Sequence, residues 1–132
     1  MVRFEQQPYD YASALQSARK AGAEAFMNLA SPIFARDRKI IVDALVKERL
    51  PSIATNVLQV EAGYLLSLNN DAAKVTRRVA DIGVRVLKGA KPADIPVEQA
   101  DEFELVINSS VAKRLGVRIP ESVLARATRI IT

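Results

Sequence analysis

Short apolar runs alternate with segments of helical periodicity along most of this chain, and that alternation leaves few folds open. The runs are AEAFMNLA (23–30), SIAT (52–55), YLLSL (64–68) and FELVI (103–107). Long helical patterns between several of them rule out simple hairpins. Strands separated by helices of ten or more residues make βαβ units, so the expected class is α/β with a parallel sheet.

The helical segments carry their own punctuation. Asp10 can cap a helix with the apolar stripe Tyr11, Ala14, Leu15 and Ala18, stopped at Gly22. Ser31-Pro32 is an N-cap followed by proline at the first helical position, opening a helix to about Arg49. Its buried stripe is expected to be Phe34, Ile41 and Leu45, with Ile40 and Ala44 beside it. Lys47 and Arg49 suit the C-terminal dipole end, and Pro51 prevents continuation. NVLQVEAG reads as a connection between the second and third strands. Asn70 then starts a long helix bearing Val75, Val79, Ile82 and Val86, closed by Gly89. KPADIPVEQ, with two prolines, reads as an extended surface connection. In FELVI, Phe103, Leu105 and Ile107 share one face, and two short helices are expected at about 110–115 and 121–131.

At 132 residues the chain reads as a single domain, residues 1–132, large enough for a real core. No apolar run approaches the roughly 20 residues of a spanning helix. The opening MVRFEQQPYDYA lacks a secretory h-region, which reads as cytoplasmic if the chain is a complete natural product. With no histidine and no cysteine, Ser-His-Asp and Cys-His catalysis and ordinary zinc sites are excluded. Five glycines form no phosphate loop. The expectation is a protein that is no enzyme, with no metal and no cofactor.

The net charge of +4 is spread in ones and twos between apolar helical positions, as on solvated helix faces. VAKRLGV, two short helical patterns meeting at Gly116, raises a helix-turn-helix alternative that would use Lys113, Arg114, Arg118, Arg126 and Arg129 on DNA. Against it, Val123 falls one position late for that register, Pro120 stands where the recognition helix should be running, and the FELVI strand has no place in the motif.

Taken together, AGAEAFMNLASPIFARDRKIIVDALVKERLPSIA, VEAGYLLSL and LKGAKPADIPVEQADEFELVINSSVAKRLGVRIPESVLARA resemble the C-terminal part of a bacterial ABC transporter substrate-binding protein. The subfamily resembled is the uncharacterised, tryptophan-transport-like one with the type I periplasmic-binding fold. The likeness runs from about Asp10 onward. It implies a three-layer parallel-sheet lobe with the first lobe largely absent. Residues of about 10–63 and 102–132 would form the second lobe. Those of about 64–101 would supply a crossover strand, helix and connection that pack on the missing lobe.

The implied function is a non-catalytic solute-binding lobe, for a small solute such as an amino acid, with an ABC permease as partner in the periplasm. Ser31, Asn56, Glu61 (in the VEAG loop) and Ser67 are the ligand candidates, since solutes sit outside the carboxyl ends of parallel strands. Each has a plainer role: helix cap, loop satisfier, solvated carboxylate and sheet-face polar residue. The family continues its EAGG stretch with Ser-Tyr-Gly, whereas here Tyr64 stands for a glycine and Leu68-Asn69 for Tyr-Gly. The stripe Val75, Val79, Ile82 and Val86 would lose its usual cover, so the helix either folds back on the sheet or a homodimer covers it. A self-associating structural or regulatory remnant without ligand is the rival reading.

Overall fold

The computed structural model describes residues 9–99 and 102–132; the leader-free reading of residues 1–8 lies outside them. Contacts divide the chain into two compact units, one of Met1–Leu68 with Leu105–Thr132 and the other Asn69–Glu104.

The first unit begins with α1 (Tyr11–Lys20), capped by Asp10, whose carboxylate accepts the Ser13 amide at 2.9 Å. AEAFMNLA yields only the two-residue strand β1 (Phe26–Met27). Ser31 caps α2 (Pro32–Arg36), but the single helix expected to Arg49 is broken at Asp37, and α3 runs Arg38–Glu48. Tyr11 donates to the Asp37 carboxylate at 2.8 Å and the Arg36 guanidinium at 2.6 Å, so that carboxylate ties α1 to the break. The Arg36 and Tyr11 hydrogen bonds hold its pKa below the usual carboxylate value. The expected stripe is kept across the break: Ile41, Ala44 and Leu45 are buried together with Val42, and Phe34 packs on the core, while Ile40, expected beside the stripe, is exposed.

Strand β2 (Ser52–Ala54) follows, and the stretch NVLQVEAG is a helix, α4 (Val57–Ala62), instead of an irregular connection. Strand β3 (Leu66–Asn70) then leads out of this unit, and β4 (Phe103–Asn108) returns to it. Helix α6 (Ser109–Leu115) is capped by Asn108. The helix expected at 121–131 is only α7 (Glu121–Leu124); its remainder is strand β5 (Arg129–Ile131). The β-branched run TRII gains a ladder with β4 that a helix could not give, and Ile131 packs on the core.

The five strands form one sheet in the order β1-β2-β3-β4-β5. The pairs β1–β2, β2–β3 and β4–β5 are parallel. Asn108 N–H bonds Leu65 O and Asp71 N–H bonds Glu102 O, so partner numbers fall along one strand as they rise along the other. That is an antiparallel β3–β4 pair within a mostly parallel sheet. Val106 and Ile107 are both fully buried, so β4 is covered there on both faces, not on the single face expected, and Phe103 is exposed. The larger core joins Leu15, Ile41 and Leu45 to Ala54, Val60, Tyr64 and Val106; a smaller one gathers Leu65 with Val111 and Ala112 of α6. Burial pushes the Tyr64 hydroxyl up to about 12.

In the second unit, Asp71 caps α5 (Ala72–Leu87), a residue later than expected, its carboxylate accepting two amides. Lys74 pairs with Glu102 and Arg78 with Glu98, joining the helix to the Pro-containing connection. That connection holds a short 3₁₀ turn, Pro92–Asp94. No residue of α5 is buried. Val79 is 64 % exposed and Val86 37 %. The apolar stripe of the helix is thus at least partly open to water.

Gly63 ends α4 at φ +127°, and a Cβ there would lie 2.7 Å from the Val42 Cγ1 atom. Gly63→Ala is expected to destabilise the chain by about 2–4 kcal/mol, combining backbone strain with displacement of a packed valine. A denaturant midpoint equal to that of the parent chain would contradict this packing.

Candidate functional site

Because β1, β2 and β3 run parallel, their carboxyl ends open on one side of the first unit, where α/β proteins place ligands. The register puts Phe26 beside Ser52, Met27 beside Ile53, and Ile53 beside Leu66. One step on, Asn28, Ala54 and Ser67 make a row across the three strands, each 2 % exposed. The next step brings Leu29, Thr55 and Leu68 to the rim.

The sequence-derived candidates separate in this frame. Ser31 stands at the rim, where its Oγ accepts the Ile33 amide at 3.3 Å as the α2 cap. Asn56 also stands there, and its Oδ1 accepts the Gln59 amide at 3.1 Å as the α4 cap. Thr55 between them donates to Gln59 Oε1 at 3.1 Å. Ser67 belongs to the buried row one step inside. Glu61 is elsewhere: it lies near the end of α4, not in a loop, and pairs with Arg129 at 3.0 Å. There it lines a cavity of about 470 Å³ shared with Gly63, Asn108, Arg114 and Ile131, at the amino end of β3. The structure thus gathers Ser31, Asn56 and Ser67 about the carboxyl ends of β1 and β2 and leaves Glu61 apart.

Asn28 was not singled out by sequence reasoning. It sits at the carboxyl end of β1, and neither its Oδ1 nor its Nδ2 has a hydrogen-bond partner among the described residues. Leaving a buried amide unmatched costs about 1–3 kcal/mol per group. The available signal was an asparagine within an apolar strand run, three residues before a helix cap. Among the described residues no group of three or more His, Cys, Asp or Glu is placed to hold a metal.

The C-terminal segment has no DNA-reading geometry. Helix α7 spans four residues and gives way to β5, so no recognition helix follows Gly116. Among the described residues no helix is long and apolar enough to cross a membrane.

Comparison with known proteins agrees with the lobe architecture. The family model for ABC transporter substrate binding protein matches residues 5–131. The chain belongs to the ABC transporter substrate-binding protein family. That family consists of binding proteins, not enzymes, and this domain shares its fold with solved relatives. A conserved domain protein from Vibrio cholerae O1 biovar El Tor is 30 % identical with a TM-score of 0.79; the match covers 92 % of this chain and 40 % of that one. The ABC domain of a Streptococcus pneumoniae protein in complex with L-Trp is 31 % identical, also at 0.79, over 92 % of this chain and 42 % of that one. A tyrosine-binding protein of Clostridioides difficile (strain R20291) is 32 % identical over 79 residues, 59 % of this chain and 23 % of the relative. This substrate-binding protein domain therefore spans about two-fifths of the length of the solved relatives it matches.

If the Asn28 amide is unmatched in the folded chain, its apolar isostere should fold more tightly. Asn28→Leu is expected to raise stability by about 1 kcal/mol, read as a higher urea midpoint at unchanged slope. A fall of similar size would mean that the amide is satisfied in solution.

Proposed function

We propose that this chain is one lobe of a two-lobed receptor that captures an amino acid and hands it to an ABC permease outside the cytoplasm. The observation that carries the reading is the rim itself: Ser31 and Asn56 follow the carboxyl ends of β1 and β2, with Leu68 beside them on β3, in a fold shared with a relative solved with L-Trp. The tyrosine-binding relative points to the same class of solute, an amino acid with a large apolar side chain. Ser67, inside the rim, would support the strand geometry from below. Closure of a second lobe over the rim would trap the solute, as in other hinged binding proteins.

A single lobe offers only part of the buried surface that a solute needs. Calorimetry on this chain is expected to give weak heats with L-tryptophan and L-tyrosine, with Kd of about 1 mM, and none with L-aspartate or L-lysine. Silence toward every aromatic and branched-chain amino acid at several millimolar would refute the reading.

The open face of α5 favours a second reading, a self-associating lobe. Val75, Val79, Ile82 and Val86 lie along one side of that helix, and three of them are more than a third exposed. Each large aliphatic side chain left in water forgoes roughly 1.5–3 kcal/mol of burial. A homodimer that covers this stripe is expected to scatter light at twice the 14.4 kDa chain mass, and Val79→Glu to return it to the monomer. A monomer at all micromolar concentrations would remove this reading and leave the stripe to the other lobe.

A further inference from the structure

Charge is absent from the three segments that build the rim. Residues 25–35, 50–60 and 62–70 contain no Asp, Glu, Lys or Arg, in a chain where such residues make up 26 %. Buried strands account for part of this depletion, but the rim positions themselves are open to water. Leu29 is 72 % exposed, Leu58 61 % and Leu68 59 %. The register places Leu29 and Leu68 on either side of Thr55, one strand spacing away each, and Leu58 follows β2 by four residues. Three exposed leucines, one after β1, one in the helix after β2 and one within β3, form an apolar surface, not scattered single residues.

Three of the polar side chains among them already hold a partner within the chain. Ser31 Oγ and Asn56 Oδ1 accept backbone amides, and Thr55 Oγ1 is bonded to Gln59. A zwitterion needs partners for both its ammonium and its carboxylate, because a desolvated charge without one is expensive. These segments offer it no counter-charge for either end; the polar atoms they leave without a partner, Asn28 Oδ1 and Nδ2 among them, are neutral, and Asn28 lies one row inside the leucines.

Resting on the proposed function, we infer that this lobe grips the solute's neutral side chain through Leu29, Leu58 and Leu68, while the counter-charges for its ammonium and carboxylate lie outside these segments. The leucines are then the residues that set specificity, and they select a large aromatic or aliphatic side chain over a small or charged one. Glu61, the carboxylate that sequence alone suggested for an amino group, has no part in this, since Arg129 neutralises it away from the rim.

Methyl-resolved NMR of the 132-residue chain separates the two ends of the solute by using fragments. Indole represents a side chain without charged ends, glycine the charged ends without a side chain, and L-tryptophan both. Indole and L-tryptophan are expected to shift the methyl signals of Leu29, Leu58 and Leu68, and glycine to leave them in place. Leu58→Ala is expected to weaken indole binding by about threefold to tenfold with the spectrum otherwise preserved. Shifts with L-tryptophan and glycine but not indole would overturn the inference while leaving the amino-acid receptor intact. So would indole shifts confined to the small apolar cavity bounded by Tyr11, Phe26 and Phe34. No response to any of the three would overturn both.

Discussion

Parallel strands cannot be joined by tight turns, and this constraint shapes the whole first unit. Each return from β1 to β2 and from β2 to β3 has to carry a crossover, here α2 with α3 and then α4. The crossovers supply apolar cover to the sheet, which is why Ile41, Leu45 and Val60 meet Ala54 and Val106. They also force every strand end to be followed at once by a helix start. Ser31 and Asn56 are therefore caps first, and any dealings with a solute occur around side chains already bound to their own backbone.

The parts of this architecture with local chemical signatures were legible in the sequence. Asp10 and Ser31 announce helices through their side-chain oxygens, and FELVIN reads as a strand because its β-branched and aromatic residues fit no amphipathic helix. Other parts depend on tertiary context. NVLQVEAG is too short for its periodicity to show, and its helix is visible only once Asn56 is seen capping Gln59. The final RII run continues a helical pattern in sequence but finds β4 beside it in space. Asp37 breaks a helix that propensity would continue, because Tyr11, 26 residues earlier, takes its carboxylate. The site was legible to the same degree: strand ends could be located, but not whether a polar residue beyond them faces out, caps a helix or, like Glu61, leaves with one.

The second unit shows what happens to a helix whose packing partner is not at hand. Its start is fixed by Asp71 and its flank by ion pairs with Glu98 and Glu102, all exposed and each worth little singly. Local chemistry alone maintains α5, and its valines do not contribute to the core. A helix of 16 residues near the margin of independent stability gains most of its persistence from such a face when something covers it. The open stripe is therefore as much a statement about α5's stability as about its partners.

The sheet's two borders are unusually brief, with β1 offering two residues and β5 three. A foreign strand seeking to extend the sheet would find almost no unpaired backbone to template it, and lateral growth into fibrils needs a longer ledge. A lobe can thus present bare leucines and valines to water for capture of other molecules while its margins stay closed to runaway polymerisation.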